Sequence, residues 1–241
     1  MTSKKLSIII PLYNEKETIA RILERIAGVE LLEGIVKEII VVDDCSSDNS
    51  RVAAAEFQKD HSSLDIQLFS HKKNRGKGAC LQTGMAKATG DYIVIQDADL
   101  EYDPADYNAL LKPVVDGYAD VVYGTRFSGS KPHRILFFWH SIGNKFLTVI
   151  SNLFTNLNLT DMETCYKLFD AGMLKSLKLK EKRFGFEPEV TAKISRVKGV
   201  RIYEVGVSYY GRSYADGKKI GWRDGIWAIY CVLKYNIFSR R

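Results

Sequence analysis

Long apolar runs are missing from this chain of 241 residues. A membrane-spanning helix needs about 20 consecutive apolar residues. The longest candidates, Ile135 to Trp139 and Ile226 to Leu233, stop well short of that between polar neighbours. The first residues, Met1-Thr2-Ser3-Lys4-Lys5, pass at once into a strand-like run, so no secretory leader is expected. Both absences predict a cytoplasmic protein, soluble or peripheral to a membrane. Cysteine is sparse: four residues, at 45, 80, 165 and 231, with no C-x-x-C pair and no His/Cys cluster. A zinc site and a disulfide framework therefore lose support, and reduced, buried or half-buried thiols are expected. The four histidines, His61, His71, His133 and His140, fall in polar or helix-flank positions, so none is expected at the centre of the chemistry. Glycine-rich nucleotide loops are absent too. Arg75-Gly76-Lys77-Gly78 is followed next by Gly84, which fails G-x-G-x-x-G, and no G-x-x-x-x-G-K-[ST] exists. Nicotinamide and P-loop chemistry recede accordingly.

What is present is an α/β pattern. With 46% hydrophobic residues the chain can bury a sizeable core. Leu6 to Ile10, Glu38 to Val42, Ile66 to Phe69, Tyr92 to Ile95 and Val121 to Tyr123 read as buried strands. Between them, Glu17 to Val29, Asp48 to Asp60, Gly76 to Ala88 and Pro104 to Gly117 read as helices, with Pro104 placed near a helix start. Such alternation predicts βαβ units around a parallel sheet. After about residue 130 the pattern shifts. Ile135 to Leu157 carries a helical face rich in Phe, Trp and Ile. Residues 163–169 and 200–210 read as strands, Glu187 to Val197 as a helix, and Trp222 to Phe238 as a final helix. No repeat or low-complexity linker interrupts this, so one domain is expected over 1–241, with 1–128 and 129–241 as its two halves.

The strand ends carry the polar residues. Ligands on parallel sheets bind beyond the carboxyl ends of the strands. There the first strand leads to Pro11-Leu12-Tyr13-Asn14-Glu15, the second to Asp43-Asp44-Cys45-Ser46-Ser47-Asp48, the fourth to Asp97-Ala98-Asp99-Leu100-Glu101 and the fifth to Gly124-Thr125-Arg126. Four segments thus deliver polar groups to one edge, which predicts an active site. Alternation along an extended backbone would point Asp97, Asp99 and Glu101 to one side. Three converging carboxylates need a cation among them, and hard oxygen donors suit Mg²⁺ or Mn²⁺ carrying a substrate phosphate. Asp43 and Asp44 at a strand end could hydrogen-bond a base or ribose.

In this order and spacing the segments Ile10 to Glu15, Val42 to Asp48, Asn74 to Gly78, Gly90-Asp91-Tyr92 and Gln96 to Asp99 resemble the family 2 glycosyltransferases of the GT-A fold. The resemblance runs from Ser7 to about Tyr210. It is strongest with the polyprenyl-phosphate glycosyltransferases, dolichyl-phosphate mannose synthase among them, through Gly124-Thr125-Arg126, Asn144, Thr160 to Lys167 and Gly185-Phe186-Glu187. It implies a Rossmann-like, largely parallel sheet flanked by helices, with acceptor-side helices at the carboxyl end. It further implies an inverting transfer of a hexose from a GDP-mannose or UDP-glucose type of donor to a dolichyl or undecaprenyl phosphate. Pro11, Tyr13, Asn14, Glu15, Asp43, Asp44, Lys77, Gly78, Asp97, Ala98 and Asp99 would hold the nucleotide sugar. Asp97, Asp99 and Arg126 would carry the chemistry, and Asp99 and Glu101 would ligate the metal; many relatives carry Gln where Glu101 stands. Arg126, Arg134, Asn144, Glu187 and Arg212 would receive the acceptor or a phosphate. A lipid phosphate is already an anion at neutral pH, so no strong base is needed.

Two other readings compete. A family 2 enzyme extending a saccharide would need a carboxylate base, for which Glu187 is the best candidate. Gly221-Trp222-Arg223-Asp224 does not supply the Gln-x-x-Arg-Trp of polysaccharide synthases. A non-enzymatic binding module draws on the basic carboxyl-terminal region: residues 182–241 hold 13 Lys/Arg against 5 Asp/Glu. The intact acidic trio argues against that module, and no nucleic-acid partner is expected. The basic excess, with Lys218, Lys219, Arg223, Arg240 and Arg241, instead predicts peripheral contact with an anionic membrane or with a small membrane subunit.

Overall fold

In the first strand Leu6, Ile8, Ile9 and Ile10 have no solvent exposure. A strand apolar on both faces must be covered on both, as in a parallel sheet between helices. The computed structural model describes residues 3–127, 132, 134–135, 138–212 and 222–238. Among these, seven strands form one sheet: β1 (Lys5–Leu12), β2 (Val36–Asp43), β3 (Ile66–Ser70), β4 (Tyr92–Ile95), β5 (Val121–Thr125), β6 (Lys167–Asp170) and β7 (Ile202–Gly206). Their order is β3-β2-β1-β4-β6-β5-β7, and β6 runs antiparallel to both its neighbours. The flanking helices are α1 (Ile19–Gly28), α2 (Ser50–Asp60), α3 (Lys77–Lys87), α4 (Tyr107–Val115), α5 (Phe138–Thr155), α6 (Ala171–Ser176), α7 (Phe186–Ile194) and α8 (Trp222–Leu233), the last followed by a π-helical turn, Lys234–Phe238.

The five strands predicted in the first half lie where the apolar runs place them. In the second half the predicted strand at 163–169 is shorter. Residues 163–166 stay outside the ladder, and only Lys167–Asp170 pairs, between β4 and β5. A strand from the second half therefore sits inside the sheet of the first. The short helix α6 was not predicted; Asp170 caps it by accepting from the Met173 amide at 2.8 Å.

Register brings the strand ends level. Leu12 pairs with Asp43, and the Asp44 amide donates to Leu12 O at 2.8 Å, so Tyr13 and Asp44 emerge side by side. Ile9 pairs with Ile95, which sets Asp97 just beyond the same edge. The opposite edge is closed by structural contacts. Glu38, fully buried, accepts from the Ser7 hydroxyl at 2.5 Å and from the Thr89 amide at 2.8 Å. Gly90 lies so close to Ser7 that a Cβ there would meet its Oγ at 2.6 Å, and Asp91 accepts from the Lys5 amide at 2.8 Å. The Gly90-Asp91 pair therefore fastens β4 to β1 and stands away from the ligand edge.

Candidate active site

At the ligand edge the chain encloses a cavity of about 420 Å³. Its wall takes Pro11, Tyr13 and Glu15 from the end of β1, Asp44 from β2, and Lys77 from the first turn of α3. Asp97, Ala98, Asp99 and Glu101 follow β4, and Arg126 follows β5. Glu163 and Cys165 precede β6, Glu187 belongs to α7, and Tyr209 and Arg212 follow β7.

The acidic trio converges, but not by strand alternation. The ladder ends at Ile95, and the chain turns, with Leu100 in the left-handed region at φ 64°. The Glu101 amide donates to Asp99 Oδ1 at 3.1 Å, closing a turn that an extended backbone would not make. Gln96 anchors the turn from below. Its Oε1 accepts from the hydroxyls of Tyr107 and Tyr166 at 2.7 and 2.5 Å, and its Nε2 donates to Asp97 O at 3.0 Å.

Cations are arranged around these acids. Lys77 Nζ lies 2.9 Å from Asp97 Oδ1 and 3.6 Å from Glu187 Oε1. Arg212 reaches Asp99 Oδ2 at 2.9 Å and Glu15 Oε2 at 3.3 Å, and its amide donates to Glu101 Oε1 at 2.7 Å. Burial opposes ionisation of Asp97, but Lys77 beside it prevails and holds the carboxyl below its ordinary value. Asp99 goes the other way. Burial, then the charges of Asp97 and Glu101, push its carboxyl up to about 7. The donor set is all hard oxygen, and its negative charge exceeds what Arg212 offsets; Asp97, Asp99 and Glu101 therefore fit a divalent hard cation.

A second group, Asp44, His71 and Cys80, also has the spacing of metal ligands, its atoms within 4.8 Å of one another. The Asp44 carboxylate is already engaged, accepting from His71 Nδ1 at 2.7 Å and from the Arg75 and Gly76 amides at 2.9 and 2.6 Å. It latches the loop that opens α3. His71 is therefore not on a polar flank: its side chain is buried between Asp44 and Thr83. Cys45 is exposed, whereas Cys80 and Cys165 are buried against the cavity.

Several residues expected at the site build its walls. Asn14 Oδ1 accepts from the Ser47 amide at 2.8 Å, and Asp43 accepts from the Ser46 amide at 3.2 Å. Neither lines the cavity: Asn14 ties the β1 and β2 loops together, and Asp43 closes the β2 loop on itself. At Gly76, with φ 94°, and at Gly78 any Cβ would collide with the backbone carbonyls of Lys182 and Glu181. These glycines admit the 181–183 segment against α3; Gly76 also borders the cavity, whereas Gly78 does not. Arg134 is exposed, and its Nη1 donates to Gly211 O at 2.7 Å, so it steadies the loop that presents Arg212.

Arg126 is held in a fork. Its Nε and Nη2 donate to Asp161 at 2.6 and 2.7 Å, and Asn144 of α5 donates to the same carboxylate at 3.1 Å. Asp161 has no exposure. Burial works against the guanidinium charge, but Asp161 keeps it firmly cationic. Asp161, Gln96, Glu163 and Cys165 lie within the motifs that carry the family resemblance, which assigns them no role. Their signal was the unbroken Thr160 to Lys167 stretch and the glutamine directly ahead of Asp97. In Glu163, burial and then the Glu187 charge push the carboxyl up to about 8, partly offset by Lys167 and Arg126.

Residues 7–177 match the family described as Glycosyl transferase family 2. The chain belongs to that family. This glycosyltransferase is 26% identical over 216 residues to a protein of Rhizobium johnstonii named dodecaprenyl-phosphate galacturonate synthase, covering 90% of this chain and 62% of that one. It is 33% identical over 123 residues to the dolichol-phosphate mannosyltransferase of Pyrococcus furiosus, covering 51% of this chain and 33% of that one. The chain thus spans under two thirds of either relative. In fold it is similar to glucosyl-3-phosphoglycerate synthase from Mycobacterium tuberculosis, solved with Mn²⁺, UDP and phosphoglyceric acid. The TM-score is 0.74 at 18% identity, over 97% of this chain and 79% of that one. Membership of the family weighs against the non-enzymatic alternative.

Proposed function

We propose that this glycosyltransferase moves a hexose, with inversion, from a nucleoside-diphosphate sugar to a polyprenyl phosphate at a membrane surface, with Mg²⁺ or Mn²⁺ as cofactor. One observation carries the reading. A single cavity holds a carboxylate cluster suited to a cation-bound diphosphate and an arginine locked by Asp161 and by Asn144 of the apolar helix α5. The names of the two curated relatives point to the same acceptor class.

A divalent cation held by Asp99 and Glu101, with Asp97 beside them, would supply charge stabilisation to the departing diphosphate. The protein's own groups do the rest. Pro11, Tyr13 and the wall latched by Asp44 receive the nucleoside. Lys77 fixes Asp97 in its ionised form. Arg212 spans Glu15 and Asp99, where it can neutralise phosphate oxygens as they gain charge. Arg126, held rigid, neutralises and aims the acceptor phosphate, which attacks the anomeric carbon without prior loss of a proton.

The membrane part of the reading rests on α5. Its buried residues are Thr148 and Ser151, while Phe138, Trp139, Val149 and Leu153 lie 63–78% exposed. The helix holds no Asp or Glu. The adjacent α8 and its π turn expose Ile226, Trp227, Tyr230 and Phe238. An apolar face of this extent, with no acid on α5, suits the interface of an anionic bilayer. No helix among the described residues is long and apolar enough to cross a membrane. The basic residues Lys218, Lys219, Arg240 and Arg241 and the Arg223 side chain lie outside the described residues.

The test uses radiolabelled GDP-mannose and UDP-glucose with Mn²⁺ and a short polyprenyl phosphate in vesicles. Label should enter the organic phase, and Arg126→Ala should abolish that while nucleotide binding persists. Glu187 lies in the cavity and could serve as base for a hydroxyl acceptor. Label reaching an oligosaccharide, with none in the organic phase, would favour saccharide extension.

A further inference from the structure

The sugar of the donor is joined to the diphosphate through its anomeric carbon, so it must lie beside the carboxylates that hold the cation. In the nucleotide-sugar reading above, on which this inference rests, the cavity next to Asp97 is therefore the hexose compartment. Its wall is Lys77, Glu187, Glu163, Cys165 and Phe184. The Glu163 carboxyl is the unusual member. Its Oε1 is cut off from solvent and has no hydrogen-bond partner among the described residues. A shielded oxygen without a partner costs about 1–3 kcal/mol, which a ligand donor would recover.

The compartment also has a sign. Three of the four cations on the cavity wall are committed to carboxylates. Lys77 bridges Asp97 and Glu187, Arg126 is forked on Asp161, and Arg212 spans Glu15 and Asp99. The fourth, Arg183, packs its Cγ against Gly76 at the start of α3. A hydroxyl-bearing hexose can donate to Glu163 and Glu187. A carboxylate at C6 would face the Glu187 charge, whose counter-ion Lys77 is shared with Asp97, and would bring Glu163 Oε1 an acceptor where it needs a donor.

We propose that Glu163, with Glu187, forms a hydroxyl-accepting subsite that selects a neutral hexose and rejects a uronosyl donor. In this the chain parts from its relative named as a galacturonate synthase. Glu163 is then a determinant of the donor sugar, independent of the base and of the acceptor.

Calorimetric titration of the full chain with Mn²⁺ tests this using matched sets: UDP, UDP-glucose and UDP-glucuronate, and GDP, GDP-mannose and GDP-mannuronate. With whichever base binds, the neutral sugar nucleotide should bind about tenfold or more tighter than its uronate. Glu163→Leu should weaken the neutral sugar nucleotide roughly tenfold and leave the bare nucleoside diphosphate within about twofold. Glu163→Gln, which keeps a neutral group of the same shape with an acceptor oxygen, should retain the hexose within about threefold. Equal affinity of the wild type for hexose and uronate overturns the inference. So does an equal loss of sugar nucleotide and bare diphosphate in Glu163→Leu, which marks a purely structural role. Both outcomes leave the transferase reading standing. Failure of every nucleotide to bind overturns that reading and this inference with it.

Discussion

Helices α1 and α5 carry the same kind of apolar stripe and turn it in opposite directions. In α1, Ile19, Ile22, Leu23 and Ile26 are all fully buried. In α5 the large apolar residues Phe138, Trp139, Ile142, Phe146, Val149 and Leu153 are exposed, and the buried positions are Thr148 and Ser151. Each fully buried aliphatic side chain contributes about 1.5–3 kcal/mol relative to leaving it exposed. The first helix therefore holds the fold together, while the second, packed on the core through Leu147 and Ile150, withholds most of that gain from the fold. A stripe left uncovered on a helix whose Asn144 accepts from Arg126 is the surface that the proposed membrane contact would cover.

The sharpest break between the halves lies where they meet. Asp161→Ala leaves the Arg126 guanidinium, which is largely buried, without its partner. Urea unfolding should show a loss of about 3–5 kcal/mol. A loss near zero would mean that the fork is an ornament. Next comes the contrast between the helices. Ile22→Ala should cost about 2–5 kcal/mol, as a buried truncation does. Val149→Ala, at an exposed position, should stay within about 0.5 kcal/mol. Equal costs would show that α5 packs as α1 does.

The α5 face itself is addressed by flotation with vesicles containing anionic lipid. Trp139→Ser combined with Phe146→Ser should cut the bound fraction about tenfold, with the melting temperature nearly unchanged. Unchanged binding would remove the membrane from the account. The smallest effect is one of pH. Asp99 has its carboxyl raised to about 7, so its proton stabilises the metal-free fold, and that contribution fades as pH rises from the ordinary carboxylate range through 7. Binding of Mn²⁺ must displace that proton, so its affinity should fall up to about tenfold for each pH unit below 7. A flat profile between pH 5.5 and 7.5, followed by the paramagnetic signal of free Mn²⁺, would contradict the shift.

The two helices also mark what was legible in the sequence. The strands β1, β2 and β4 could be read because a run apolar on both faces has few other uses, and β4 matches Tyr92 to Ile95 residue for residue. Periodicity revealed the stripe on α5 but not its direction, because only the neighbours of a helix decide which side is covered. The convergence of Asp97, Asp99 and Glu101 was legible, but not its cause. The turn at Leu100 depends on a left-handed residue that no spacing rule announces. Asp161 and His71 escaped for a related reason. Their partners, Arg126 and Asp44, lie 35 and 27 positions away, and pairing at that distance exists only once the sheet has formed.

The central claim is that the acids following β4 hold a divalent ion on which a nucleoside diphosphate rests. Titration of UDP and GDP with and without Mn²⁺, on wild type and on Asp99→Ala, tests it most directly. The account predicts that Mn²⁺ tightens binding of at least one nucleotide to the wild type by about tenfold or more, and that Asp99→Ala melts normally but has lost this tightening. Metal-dependent tightening of the same size in Asp99→Ala, or none in the wild type, would contradict it.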